Sequence, residues 1–166
     1  AAFTPTQVAS NGGLLSALGG GNISGAIVHA NGGNRQALGG TIEWLNPVLT
    51  QANAKGAIDT LSADQIMSAS FSSFVARGAL DTQGAVDLSL GRSFLLMSPD
   101  FLGKSAPDAY YQISIASHGD LSIKAPHIGL LSSAPTVGSV PGLLTQAGGS
   151  DQLLLQADSI DIAGGV

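Results

Sequence analysis

"LSIKAPHIGL" (residues 121–130) and "LLLQADSIDI" (residues 153–162) follow one template: apolar positions two apart, an Ala, then two residues, an Ile, a gap and a last apolar residue. Leu121, Ile123 and Ala125 alternate with Ser122 and Lys124, the period of a strand with one buried face. Continuing that parity would bury His127, but the apolar positions move instead to Ile128 and Leu130. A change of parity within two residues predicts a corner, after which a second strand presents its own inward face. Pro126 and Asp158 hold the same slot after Ala, and both suit a turn.

The core of the template, apolar–x–Ala–x–x–Ile, starts at 61 ("LSADQI"), 123 ("IKAPHI") and 155 ("LQADSI"), so the copies lie 62 and 32 residues apart. Near the midpoint of the longer step, "GAVDLSLGRSFLLM" (84–97) keeps the alternation without the Ala–x–x–Ile core and is read as a degenerate copy. "NISGAIVHANGG" (22–33) is read as an earlier one. Strand, corner, strand and loop at a period of about thirty residues predict an all-β fold, a parallel β-solenoid of about five irregular coils with longer excursions. The alternative is an antiparallel β-sandwich, because some turn signals fall at the 8–12-residue spacing that fold needs. "LSADQIMSAS" (61–70) is also compatible with a short helix. Gly pairs such as Gly12–Gly13, Gly32–Gly33 and Gly39–Gly40 are read as turns with positive φ. The whole of 1–166 is read as one domain, with 1–21 as a flexible or capping lead-in.

Composition agrees. Of 166 residues 23 are Gly, only 10% are charged, and Glu43 is the single Glu, so the usual surface residues of helices are scarce. The net charge is −5 and the six Lys and Arg are scattered, which leaves no basic stripe for a nucleic-acid partner. With no Cys, disulfides and thiolate metal sites are excluded. No apolar run is long enough to span a bilayer as a helix. The opening "AAFTPTQ" lacks a basic n-region and an apolar h-region, so no signal peptide is expected in it.

"GDLSIKAPHIGLLSS" (119–133), "GAVDLSLGRSFLLMSPDF" (84–101) and "GSDQLLLQADSIDIAGG" (149–165) resemble phrases of the large exoproteins of the filamentous haemagglutinin type, exported by two-partner secretion. "FSSFVARGALDTQGAVDLSLGRSFLLMSPDF" (71–101) is similar to an uncharacterised domain toward the C-terminal parts of such proteins. The resemblance covers most of 22–165. It implies a right-handed β-helix, secreted or on the bacterial cell surface, that forms part of a larger exoprotein. An adhesive or cell-contact role follows, with an outer-membrane secretion partner for the parent and a glycan or protein receptor on another cell. The chain departs from the family in lacking the secretion domain with its paired Asn–Pro motifs; Asn46–Pro47 stands in another context.

Catalytic signals are weak. Asp81, Asp87, Asp100, Asp108 and Asp120 are candidates for the paired carboxylates of a polysaccharide-active β-helix, but scattered Asp in turn-rich sequence read as turn residues. Asp120 and Asp151, each just before a strand, fit that role. His29, His118 and His127 show no metal-ligand spacing. "GKS" (103–105) has Ser98 where a phosphate loop needs its first Gly. The reading is therefore non-enzymatic, with no cofactor and no metal. The candidate contact set is Phe101, Lys104, Tyr110 and Tyr111, in the Pro-interrupted "MSPDFLGKSAPDAYYQ" (97–112), because aromatic faces beside polar groups suit sugar or protein recognition. Trp44, read as outward-facing, is the fifth member. A carbohydrate-binding module working through 97–112 is thus the alternative function. A solenoid with uncovered end strands is expected to self-associate.

Overall fold

The computed structural model describes residues 11–19, 21, 23, 26–33, 37–52, 59–98, 113–131, 143–147 and 151–163. Its strands are β1 (Leu14–Ala17), β2 (Thr41–Leu45), β3 (Val48–Thr50), β4 (Thr60–Ser62), β5 (Ser73–Arg77), β6 (Ala79–Thr82), β7 (Val86–Ser89), β8 (Ser93–Met97), β9 (Ile113–Ser117), β10 (Leu121–Lys124), β11 (His127–Leu131), β12 (Leu143–Ala147), β13 (Leu153–Gln156) and β14 (Ser159–Ala163). A short helix, α1 (Ala63–Ser68), follows β4. The strands form three open sheets: a central one ordered β1-β2-β5-β8-β11-β14, a second ordered β12-β9-β6-β3-β4, and a third ordered β13-β10-β7. Every strand pairing among the described residues is parallel, so the antiparallel sandwich is wrong.

From β5 onward the chain visits the sheets in a fixed cycle: central, second, third, then central again. Paired register makes the returns measurable. Thr41 lies beside Ser73, Ser73 beside Ser93, Ser93 beside His127 and His127 beside Ser159. The central sheet holds six strands, one more rung than the sequence period suggests.

The corner at Pro126 is where the sequence places it. Leu121, Ile123 and Ala125 are buried along β10 and beyond it, and Ile128 and Leu130 are buried along β11. The carbonyl of Pro126 accepts the N–H groups of Asp158 and Ser159 one rung later, at 3.1 and 3.2 Å, so corner stacks on corner. In the degenerate copy the matching corner, Gly91–Arg92, is one residue longer, because Ser89 pairs with Lys124 but Ser93 with His127. Leu90 then fills the slot of Ala125 and is buried. That extra residue erases the Ala–x–x–Ile signature while keeping the strands.

In the copy at 61–66, Leu61 and Ser62 end strand β4 and Ala63 opens helix α1, so a helix stands in place of the corner and second strand. Ser62 caps α1, its Oγ accepting the N–H of Gln65 at 3.1 Å, with Asp64 in the first turn. Leu61, Ala63 and Ile66 are still buried, so the apolar spacing serves the same core through a different backbone.

Inward positions stack in rows across the rungs. In the central sheet Ile42, Phe74, Phe94, Ile128 and Ile160 form one row, and Ala17, Trp44, Ala76, Leu96, Leu130 and Ile162 the next. Phe74 and Phe94 meet edge to face, with centroids 5.8 Å apart and planes at 61°. The Gly pairs differ from their reading. Among the described glycines positive φ occurs at Gly78, Gly84 and Gly119, none of them in a pair. Gly12 and Gly39 instead permit close backbone approach: a Cβ would lie 2.2 Å from the Ala30 carbonyl oxygen and 1.9 Å from that of Ser70.

Candidate functional site

Phe101, Lys104, Tyr110 and Tyr111, with Asp100 and Asp108, lie outside the described residues. Trp44 is within them and is a correction: it is 1% exposed, not outward. It shares the parity of Ile42, and the register sets it between Ala17 and Ala76, whose small side chains leave room for the indole. Its Nε1 has no hydrogen-bond partner among the described residues. Trp44 is therefore a core residue.

Of the described candidate carboxylates only Asp120 precedes a strand as a turn residue, as Asp151 does; Asp81 lies within β6 and Asp87 within β7, which corrects the turn reading for those two. Asp81 Oδ1 accepts the N–H of Thr82 at 2.7 Å and lies 3.0 Å from His118 Nδ1. Asp120 Oδ1 accepts the N–H of Gln152 at 3.0 Å, and Asp151 Oδ2 that of Gly119 at 2.9 Å, so the two tie successive turns to each other. Among the described residues no group of three His, Asp or Glu could hold a metal ion.

The central sheet's outer face carries the most developed surface among the described residues. The first residue of each strand from β2 onward is polar: Thr41, Ser73, Ser93, His127 and Ser159 form a row across five rungs. Ser93 Oγ donates to Ser73 Oγ at 3.0 Å, and His127 Nδ1 lies 3.0 Å from Ser159 Oγ. Beside the row runs a half-buried apolar strip of Val75, Leu95 and Leu131. Thr41, Ser73, Ser93 and His127 of the row, with the strip and Arg92, line a shallow depression of about 450 Å³. The Arg92 side chain is exposed and makes no ion pair among the described residues.

Further along the same face, Arg77 Nε donates to Glu43 Oε1 at 2.6 Å and Ser16 Oγ donates to Glu43 Oε2 at 2.8 Å. Burial alone would raise the Glu43 carboxyl, but the hydrogen bonds from Arg77 and Ser16 and the Arg77 charge outweigh it and hold the carboxyl below its ordinary value.

Ser159 and Asp161 both approach the same nitrogen of His127, Asp161 Oδ2 at 3.8 Å. A nucleophile–base relay needs the hydroxyl and the carboxylate on opposite ring nitrogens. Hydroxyls, a guanidinium and an apolar strip along a shallow depression suit an extended ligand lying across the strands. The sequence reading missed this row. Its signal was available: the residue that opens the strand after each corner is a hydroxyl or an imidazole.

No protein-family model, no curated protein and no solved structure matches the chain.

Proposed function

We propose that the chain is a segment of a right-handed parallel β-solenoid shaft in a secreted or cell-surface exoprotein of the filamentous haemagglutinin type. It serves adhesion or cell contact and catalyses nothing. The observation that carries this reading is the registered parallel stacking of strands that recur in one cyclic order, with inward apolar rows and polar outer rows. Such a stack is stiff along its length and offers the same outer surface at each rung, which is what a shaft that presents contact residues needs.

Surfaces coated with the chain should retain cells above an albumin-coated control, and soluble chain should compete. Replacement of Tyr110 and Tyr111 by Ala, read on the same surfaces and on a glycan array, separates two forms of the reading. Loss of retention locates adhesion in 97–112, as the carbohydrate-binding alternative requires, whereas unchanged retention leaves it to the sheet faces. No retention by either form, or release of new reducing ends from a polysaccharide, would overturn the proposal.

A further inference from the structure

Two Asn–Gly pairs stand among the described residues, Asn11–Gly12 and Asn31–Gly32, and both Asn residues are exposed. Their surroundings differ. Asn11–Gly12 is stitched to the segment that leads into β2: the Gly12 N–H donates to the Leu38 carbonyl at 2.9 Å, and Asn11 Oδ1 accepts the Leu38 N–H at 3.1 Å. The side chain and the following amide nitrogen are thus both held. Gly12 is also pressed against its neighbours, since a Cβ there would lie 2.3 Å from the Gly40 nitrogen.

Asn31–Gly32 has neither restraint. The Asn31 side chain and the Gly32 N–H make no hydrogen bond among the described residues. The backbone is anchored one residue earlier, where the Ala30 N–H donates to the Ala69 carbonyl at 2.7 Å and the Ala30 carbonyl accepts the Gly40 N–H at 2.6 Å. Beyond the pair, Gly32 lies against Ala37, and a Cβ at position 32 would come 2.5 Å from the Ala37 Cβ. Packing therefore keeps a residue without a side chain after Asn31. Such a residue hinders least the approach of its own nitrogen to the preceding side chain.

We propose that Asn31 is a site of spontaneous covalent modification, deamidation through the Gly32 nitrogen, and that the fold shields Asn11 from the same reaction. The Gly32 nitrogen gives its proton to hydroxide and attacks Asn31 Cγ. An N–Cγ bond forms, the Cγ–Nδ2 bond breaks, and the side-chain nitrogen takes up a proton and leaves as ammonia. Water then opens the resulting succinimide at either carbonyl, which leaves aspartate or isoaspartate at position 31. An attack within the chain is fast only when the two groups are able to reach each other, so the bonds from Leu38 slow it at Asn11 and nothing comparable slows it at Asn31. Asn46, the third described Asn, is followed by Pro47, which has no N–H to lose, and its Oδ1 accepts the Ala79 N–H at 2.9 Å. The change adds one negative charge to a chain already at −5, and isoaspartate also routes the main chain through one extra carbon. This goes beyond the adhesive reading and does not rest on it.

Incubation of the full chain in mildly alkaline buffer, followed by intact-mass and peptide-mapping mass spectrometry, tests the proposal. The chain should gain one mass unit at Asn31, roughly tenfold or more faster than at Asn11. Enzymatic methylation specific for isoaspartate should label the same peptide. Asn31→Gln should remove the fast gain, because the longer side chain does not close the five-membered ring; the change lies on an exposed residue and should leave the far-UV spectrum as it is. In urea, where the Leu38 bonds are gone, the rates at Asn11 and Asn31 should converge. Equal rates in the folded chain, a fast gain that survives Asn31→Gln, no gain at all, or a difference that persists in urea would each overturn the proposal.

Discussion

Ile128 and Ile160 occupy the same inward row on adjacent rungs, one 0% and the other 45% exposed, so the same truncation at the two sites isolates the effect of position in the stack. Ile→Ala removes three carbons, about 2.4 kcal/mol of transfer free energy at about 0.8 kcal/mol per buried carbon. At Ile128 the full amount is lost and a cavity remains under neighbouring rungs, so the cost is expected at about 3–4 kcal/mol. At Ile160 roughly half of the side chain is already in water and the space left is open to solvent, so only about 1 kcal/mol is lost. Urea unfolding, followed by far-UV circular dichroism and by the fluorescence of Trp44, measures both. Trp44 is the only Trp and is buried three rungs from β11, so it also reports how far a loss travels. Ile128→Ala should move both signals together. Ile160→Ala should shift the dichroism and leave the Trp44 midpoint nearly unchanged, because in a stack each rung contacts only its neighbours. Equal costs at the two sites would refute the reasoning, since they would mean that Ile160 is as covered as Ile128.

Gly39→Ala should be among the most damaging single changes, by about 3 kcal/mol or more in the same titration, because the added carbon meets backbone that cannot rotate away. Glu43→Gln should lower stability at pH 7 by about 1–2 kcal/mol, the usual contribution of a hydrogen bond to a charged group. Its folded pKa is depressed, so the stabilisation is fully present above the unfolded carboxyl pKa and is lost as pH falls through the folded one. Stability measured against pH should therefore drop more steeply on the acid side for the parent chain than for the variant.

The alternation at Leu121–Ala125 and the jump to Ile128 were enough to locate two strands and a corner, because a two-residue period and its change of parity are local properties of the chain. The same logic settles Trp44. Its parity with Ile42 sets it inward, against the outward reading, and Ala17 and Ala76 on the adjacent rungs make room for the indole. The turn roles of Asp120 and Asp151 were legible in their positions before strands, but the hydrogen bonds that join one turn to the next were not, since the partners are 32 residues away. The polar row from Thr41 to Ser159 was hidden for the same reason: its members become neighbours only through register.

By itself, then, the sequence determined the strands, the corners and the inward parity, all of which depend on spacings of a few residues. Only tertiary structure decided that the pairings are parallel and that "LSADQI" runs from strand into helix at Ala63. Ser62 can cap a helix from Ala63 onward, but the helix is useful only where its Met67 meets the outward N–H of Ser89 in β7. Ile128 and Ile160 belong to the same repeated phrase, and what separates them is whether another rung lies on top. Burial of an inward side chain is a property of the stack, and no local pattern can encode it.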